Sequence, residues 1–133
     1  MQTSTLTIGK LARAAGVGIE TVRYYQQREL LTVPPPTGAY RYYPETSIAR
    51  IRFIKRAQQL GFTLEEIAEL LTLQDGSDRA QIRELANAKI TDIEKKLQDL
   101  QRMHDVLQGL IEVCEHTDKS HPCPIIEALE NPA

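Results

Sequence analysis

Between Thr7 and Gln27 apolar residues recur at helical spacing, break off and restart. Ile8, Leu11 and Ala14/Ala15 form a first apolar face, with Thr7 placed to cap it. Ala15-Gly16-Val17 interrupts the pattern, and Gly16 is free to take a positive φ. From Ile19 the period resumes, with Ile19, Val22 and Tyr25 facing a core and Glu20, Thr21, Arg23, Tyr24, Gln27 and Arg28 facing outward. Two short helices closed through an Ala-x-x-x-Gly turn predict a helix-turn-helix over residues 8–27. The stretch VPPPTGAYRYYPE then gathers Pro, Gly and Tyr. It predicts a loop turned at Thr37-Gly38 with an extended strand from Ala39 to Tyr43, a small wing over 37–43 with one tyrosine packed on the core.

Helical spacing returns after Pro44 with Ile48, Ile51, Phe53/Ile54 and Ala57, and ends at Leu60-Gly61. Thr63-Leu-Glu-Glu66 is a capping box for a helix with Ile67, Leu70 and Leu71 inside, stopped by Leu73-Gln-Asp-Gly76. Asp78 then caps a long helix from Arg79. Ala86, Ile93, Leu100, Leu107 and Cys114 lie seven apart, with Ile90, Leu97, His104 and Ile111 at the alternate seam positions. A helix over 78–113 spans roughly 50 Å and cannot stand alone with an apolar stripe; a homodimer is the simplest partner. His104 fits a polar register residue in that seam. After CEHTDKSHPCP, Ile125, Ile126 and Leu129 mark a short terminal helix. The expected architecture is mainly α: a winged helix-turn-helix over 5–74, a coiled-coil dimerisation helix over 78–113, and a loop with a short helix over 114–133.

Charge sharpens this division. The net −2 resolves into +6 over residues 1–60 and −8 over 61–133, which points to a polyanion partner for the front half alone. On the outward face of the second helix, Arg23 offers forked donors to phosphate or guanine, while Thr21 and Tyr24 can bond the backbone or meet a thymine methyl. Tyr40-Arg41 on the wing can reach a phosphate or the minor groove. Double-stranded DNA is the expected partner. No eighteen-residue apolar run and no signal-peptide pattern are present, so a cytoplasmic protein with no membrane partner is expected, with reduced thiols. No nucleophile–base pair, phosphate-cradling loop or carboxylate pair suggests an enzyme.

The only two cysteines, Cys114 and Cys123, flank a polar loop in a C-x8-C arrangement. Two thiolates at a loop's mouth suit a soft metal, Hg(II) or Cu(I), Ag(I) or Au(I), with no organic cofactor. The same pair could instead be a thiol redox sensor, although only Lys119, His116 and His121 in the loop could lower a thiol pKa. The two histidines fit solvated loop residues. A metal buffer would not need the front half.

TIGKLARAAGV, ETVRYY, GAYRYY and IRFIKRAQQLGFTLEEIAELLTLQDG, in this order and spacing, resemble the MerR family of transcription regulators along essentially the whole chain. The resemblance implies an antiparallel homodimer between overlong promoter elements. There, inducer binding distorts the DNA so that RNA polymerase engages both. It also implies Cys114 and Cys123 as the inducer's ligands. Glu29 departs from the family's usual glycine, and a different local backbone is expected there. The body of the chain and the C-x8-C spacing are closest to the mercury-resistance branch, whose third Cys is replaced here by Arg79. That loss disfavours three-thiolate Hg(II) and four-coordinate Zn(II). The monovalent-metal branch also lacks this Cys but has a loop one residue shorter. Arg79 could offset the negative charge of a two-coordinate monovalent site.

Overall fold

The computed structural model describes residues 6–74 and 76–131. Thr5 at the start of the expected DNA-binding segment, Asp75 of the helix-stop signal and residues 132–133 lie outside that range. Among the described residues, six helices and one small sheet follow in order: α1 (Ile8–Ala15), α2 (Ile19–Gln27), β1 (Pro36–Thr37), β2 (Tyr40–Arg41), α3 (Thr46–Gln59), α4 (Leu64–Thr72), α5 (Arg79–Glu115) and α6 (Pro124–Glu130). The chain divides into two compact units between Ala86 and Asn87.

Local chemistry sets most boundaries of the first unit. Thr7 Oγ1 accepts the Lys10 N–H at 3.5 Å and starts α1. Gly16, at φ 74°, ends it in the left-handed conformation, with Gly16 N donating to Arg13 O and Val17 N to Ala12 O. At α4 the capping box is complete: Glu66 N donates to Thr63 Oγ1 at 3.2 Å, and Thr63 N donates to Glu66 Oε1 at 2.8 Å. Gly61, at φ 94°, turns the chain out of α3 toward that cap.

Leu11, Val22, Ile51, Ile54 and Ile67 are fully buried where α1 to α4 converge. Each contributes roughly 1.5–3 kcal/mol by leaving water. The inward face of α2 is shorter than its spacing predicts. Val22 and Tyr25 are buried, but Ile19, the first helical residue, is 40% exposed because the helix begins at the edge of the bundle. On α1, Ala12 and Ala15 are buried while Ala14 faces out.

Glu29 corrects the expectation of a different backbone. It sits at φ 60°, the only described non-glycine residue with positive φ, and Leu30 N donates to Tyr25 O at 2.9 Å across the turn. The chain keeps a left-handed turn after α2 and imposes it on a residue with a Cβ.

The wing is an antiparallel pair with Pro36 opposite Arg41 and Thr37 opposite Tyr40, turned at Gly38 with φ 67°. Tyr43 follows it, 2% exposed, and its N–H donates to Leu6 O at 2.8 Å. Tyr40 and Tyr42 remain exposed, so one wing tyrosine anchors and two face out.

In α5, Asp78 Oδ1 accepts the Gln81 N–H at 3.0 Å and caps the start. The helix continues to Glu115, so Cys114 lies in its last turn. The seam residues Ile90, Ile93, Leu97, Leu100, Leu107 and Ile111 are all exposed in the single chain, Leu97 by 60%. His104 is exposed as well, with Nδ1 3.1 Å from Asp105 Oδ1.

Candidate nucleic-acid interface and metal centre

Helix α2 and the wing are fastened to the bundle by buried or half-buried phenols. Tyr25 Oη donates to Gln58 Oε1 at 2.6 Å and holds α2 against α3, and burial pushes the Tyr25 phenol pKa up. Gln26 Nε2 donates to Tyr43 Oη at 2.5 Å and ties α2 to the base of the wing. The Arg41 guanidinium donates to Pro34 O, closing the wing on its own stem. Together these bonds define a crevice of about 270 Å³ between α2 and the wing, with Arg23, Tyr40 and Arg41 on its lining. Three of the five expected DNA-contact residues therefore share one depression. Tyr24 is exposed and Thr21 half-buried elsewhere on α2, outside that lining.

Several front-half cations brace the fold. Arg52 donates to Ala14 O at 3.1 Å and Lys55 to Gly16 O at 2.8 Å, so α3 places two positive charges on the carbonyl end of α1. Arg28 pairs with Glu65 at 2.5 Å, and Arg50 donates to Gln74 Oε1 at 3.1 Å. The Glu65 carboxyl is lowered first by its own backbone N–H in the first turn of α4, then by Arg28. Of these four cations, only Arg28 meets an opposite charge; Arg50, Arg52 and Lys55 keep their charge but commit donors within the fold. Gln26 was not singled out by spacing, because its partner Tyr43 lies seventeen residues away with no periodic relation to it.

In the second unit the sulfurs of Cys114 and Cys123 lie 3.9 Å apart, both cysteines free. The intervening loop folds around Asp118, whose Oδ1 accepts from Ser120 N at 2.9 Å and from Ser120 Oγ, and lies 3.0 Å from His121 Nδ1. Thr117 Oγ1 donates to Val113 O at 2.7 Å and draws the loop back over the end of α5. Cys123 caps α6, with Pro124 at its first position. The N–H groups of Ile126 and Ile125 lower the Cys123 thiol pKa, whereas the Cys114 thiol is raised, first by its hydrogen bond to Cys123 and then by desolvation. Among the described residues, no group of three or more His, Cys, Asp or Glu side chains converges to hold a metal ion. Two soft sulfurs at this spacing fit a thiophilic metal and leave the rest of its coordination sphere unassigned.

Two family models match the chain: "MerR HTH family regulatory protein" over residues 6–74 and "MerR, DNA binding" over 48–110. The chain belongs to the MerR family. A mercuric resistance operon regulatory protein of Serratia marcescens is 46% identical over 126 residues, 94% of this chain and 88% of that relative. A solved MerR structure from Bacillus megaterium MB1 in complex with mercury(II) superposes with a TM-score of 0.73 at 38% identity, covering 95% of this chain and 100% of that one. A transcription regulator from Ralstonia metallidurans CH34 in complex with lead(II) gives a TM-score of 0.80 at 30% identity, covering 94% of this chain and 99% of that one. The MerR chain described here is accordingly a transcription regulator rather than an enzyme. Among the described residues, no helix is long and apolar enough to cross a membrane.

Proposed function

We propose that this MerR regulator is a cytoplasmic homodimer that binds promoter DNA and responds to a soft metal, with Hg(II) as the inducer and Cys114 and Cys123 as its protein ligands. The observation that carries this reading is the pair of sulfurs 3.9 Å apart at the junction of α5 and α6, in a chain 46% identical to mercuric regulators. Thr21, Arg23 and Tyr24 of α2 enter the major groove, and Tyr40 and Arg41 of the wing reach the flanking backbone. The apolar seam of α5 pairs with a second copy and sets the half-site spacing. A soft metal held by Cys114 and Cys123 would supply the cross-link between them. Cys114 then fixes the end of α5 to the start of α6 through Cys123, and the Asp118-centred turn holds the loop closed. A metal that favours this closed arrangement shifts the dimer toward the DNA-distorting geometry that RNA polymerase can use; equal affinity for both arrangements would shift nothing.

The 46% identity to a mercuric resistance regulator favours Hg(II) over a monovalent metal such as Cu(I), Ag(I) or Au(I). Anaerobic transcription from the cognate promoter, with each metal added separately, tests this. Activation by Hg(II) in the native protein and its loss in Cys114→Ser and Cys123→Ser is the expected result. Equal activation of the serine variants would refute the ligand assignment, and activation by Cu(I) alone would refute the metal. Contact between the sulfurs also suits a thiol redox sensor. That reading requires a response that survives a strong chelator and disappears under reductant.

A further inference from the structure

We infer that a metal held by Cys114 and Cys123 keeps an open coordination position, and that a low-molecular-weight thiol fills it to form a mixed protein–metal–thiolate complex. The inference rests on the metal-responsive reading above and concerns how the same site completes its ligand set.

The argument begins with the 3.9 Å between the sulfurs. With metal–sulfur bonds of roughly 2.3 Å, sulfurs at that spacing subtend an angle of about 115° at the metal. A collinear S–metal–S arrangement needs about 4.6 Å with the same bonds, so the sulfurs would have to part by about 0.7 Å. An angle near 115° belongs to a centre with three or four ligands. Yet the described residues supply no third side chain to the pair. His121 has Nδ1 turned to Asp118 instead.

The site is open to an outside ligand. Cys123 is exposed and Cys114 half-buried, and both line a cleft of about 360 Å³ with Thr117, Lys119, His121 and Pro122. A water molecule occupies about 30 Å³ of liquid, so the cleft admits a ligand of many heavy atoms. Soft metals select thiolate over water or carboxylate. Charge limits the choice of metal. Hg(II) with three thiolates carries −1, in a cleft lined by both Lys119 and Asp118, whereas a monovalent metal would carry −2. The ligand exchange is balanced and moves no electrons. A neutral Hg(II) bis-thiolate meets two protein thiols, retains one of its own thiolates, and releases the other as free thiol together with one proton.

The test is native mass spectrometry of the reduced full-length protein, kept anaerobic, with one Hg(II) per site and graded glutathione. The expected species carries one mercury and one glutathione per site, with X-ray absorption reading three sulfur neighbours. Lys119→Glu should keep the mercury but lower glutathione occupancy about threefold, the effect of an exposed charge pair. Cys114→Ser/Cys123→Ser, checked for native helicity by circular dichroism, should carry neither. Retention of mercury without glutathione at any concentration overturns this inference and leaves the metal-responsive reading standing. Failure to retain mercury overturns both. Glutathione bound without mercury and released by reductant is a mixed disulfide, and also overturns the inference.

Discussion

Glu29 offers a direct measure of the backbone strain stored beside the recognition helix. An L-residue held in the left-handed region is disfavoured by roughly 1–2 kcal/mol, and Glu29 occupies it at φ 60°. The side chain is exposed and makes no hydrogen bond or ion pair with the described residues, so its removal forfeits little. Glu29→Gly relieves the strain but loosens the unfolded chain, which offsets about 0.4–1 kcal/mol. The net expectation is a stabilisation of about 0.5–1 kcal/mol. For a unit of this size, that is a rise in Tm of about 2–8 °C. Glu29→Ala keeps the Cβ and the strain, and should stay within about 0.5 kcal/mol of the native protein. Urea unfolding at fixed protein concentration, followed by helical circular dichroism, measures both, and the m-value should not change. If the glycine variant is no more stable than the alanine variant, the left-handed turn is not strained and the reasoning fails. If glycine destabilises, the Glu29 side chain makes a contact that the single chain does not show.

Three further substitutions probe separate parts of the chain. Thr63→Ala removes the Oγ1 acceptor of the α4 capping box while its backbone N–H can still donate to Glu66 Oε1, and should cost about 1 kcal/mol in urea unfolding; no measurable loss would mean that the remaining bond and the packing of Ile67 hold the helix start. Arg23→Ala should weaken promoter binding and reduce the salt slope of log K by roughly one, read by fluorescence anisotropy across a salt series; an unchanged slope would remove Arg23 from the phosphate contacts. The Glu65 carboxyl lies below its usual range. Its stabilisation is therefore present above the ordinary carboxylate pKa and disappears as pH falls through the lowered folded value. Glu65→Gln should reduce stability at neutral pH and converge with the native protein in acid; a constant difference across pH would show that charge is not the cause.

Features built from residues close in sequence were legible in the sequence itself. Thr63 and Glu66 announce their capping box because two residue types at one fixed spacing satisfy two backbone groups. Gly16 marks a turn because few other residues tolerate its φ, and the seven-residue recurrence from Ala86 to Cys114 marks the seam of α5. The pairing of Cys114 with Cys123 was legible as a loop with a thiol at each end. The 3.9 Å between their sulfurs was not, because it depends on how Asp118 gathers Ser120 and His121. At Glu29 the resemblance and the residue disagreed, and the backbone won: the Leu30–Tyr25 hydrogen bond and the core positions of Leu30 and Leu31 hold the turn whatever the side chain.

The largest difference between charge counting and structure concerns the front-half cations. Counting treats Arg28, Arg50, Arg52 and Lys55 as charge available to a polyanion. The fold commits each of them to a carboxylate, an amide or a backbone carbonyl. Arg52 and Lys55 are most telling, because they sit on the carbonyl end of α1, at the turn that sets the angle of the recognition helix. Their positive charge offsets the partial negative charge there, so they brace the helix-turn-helix while still adding to the field that draws DNA toward it. Arg23 then stands out as a cation that pairs with no group among the described residues, on the crevice shared by α2 and the wing. The basic half of the chain is thus two populations, one that shapes the reading head and one left to read.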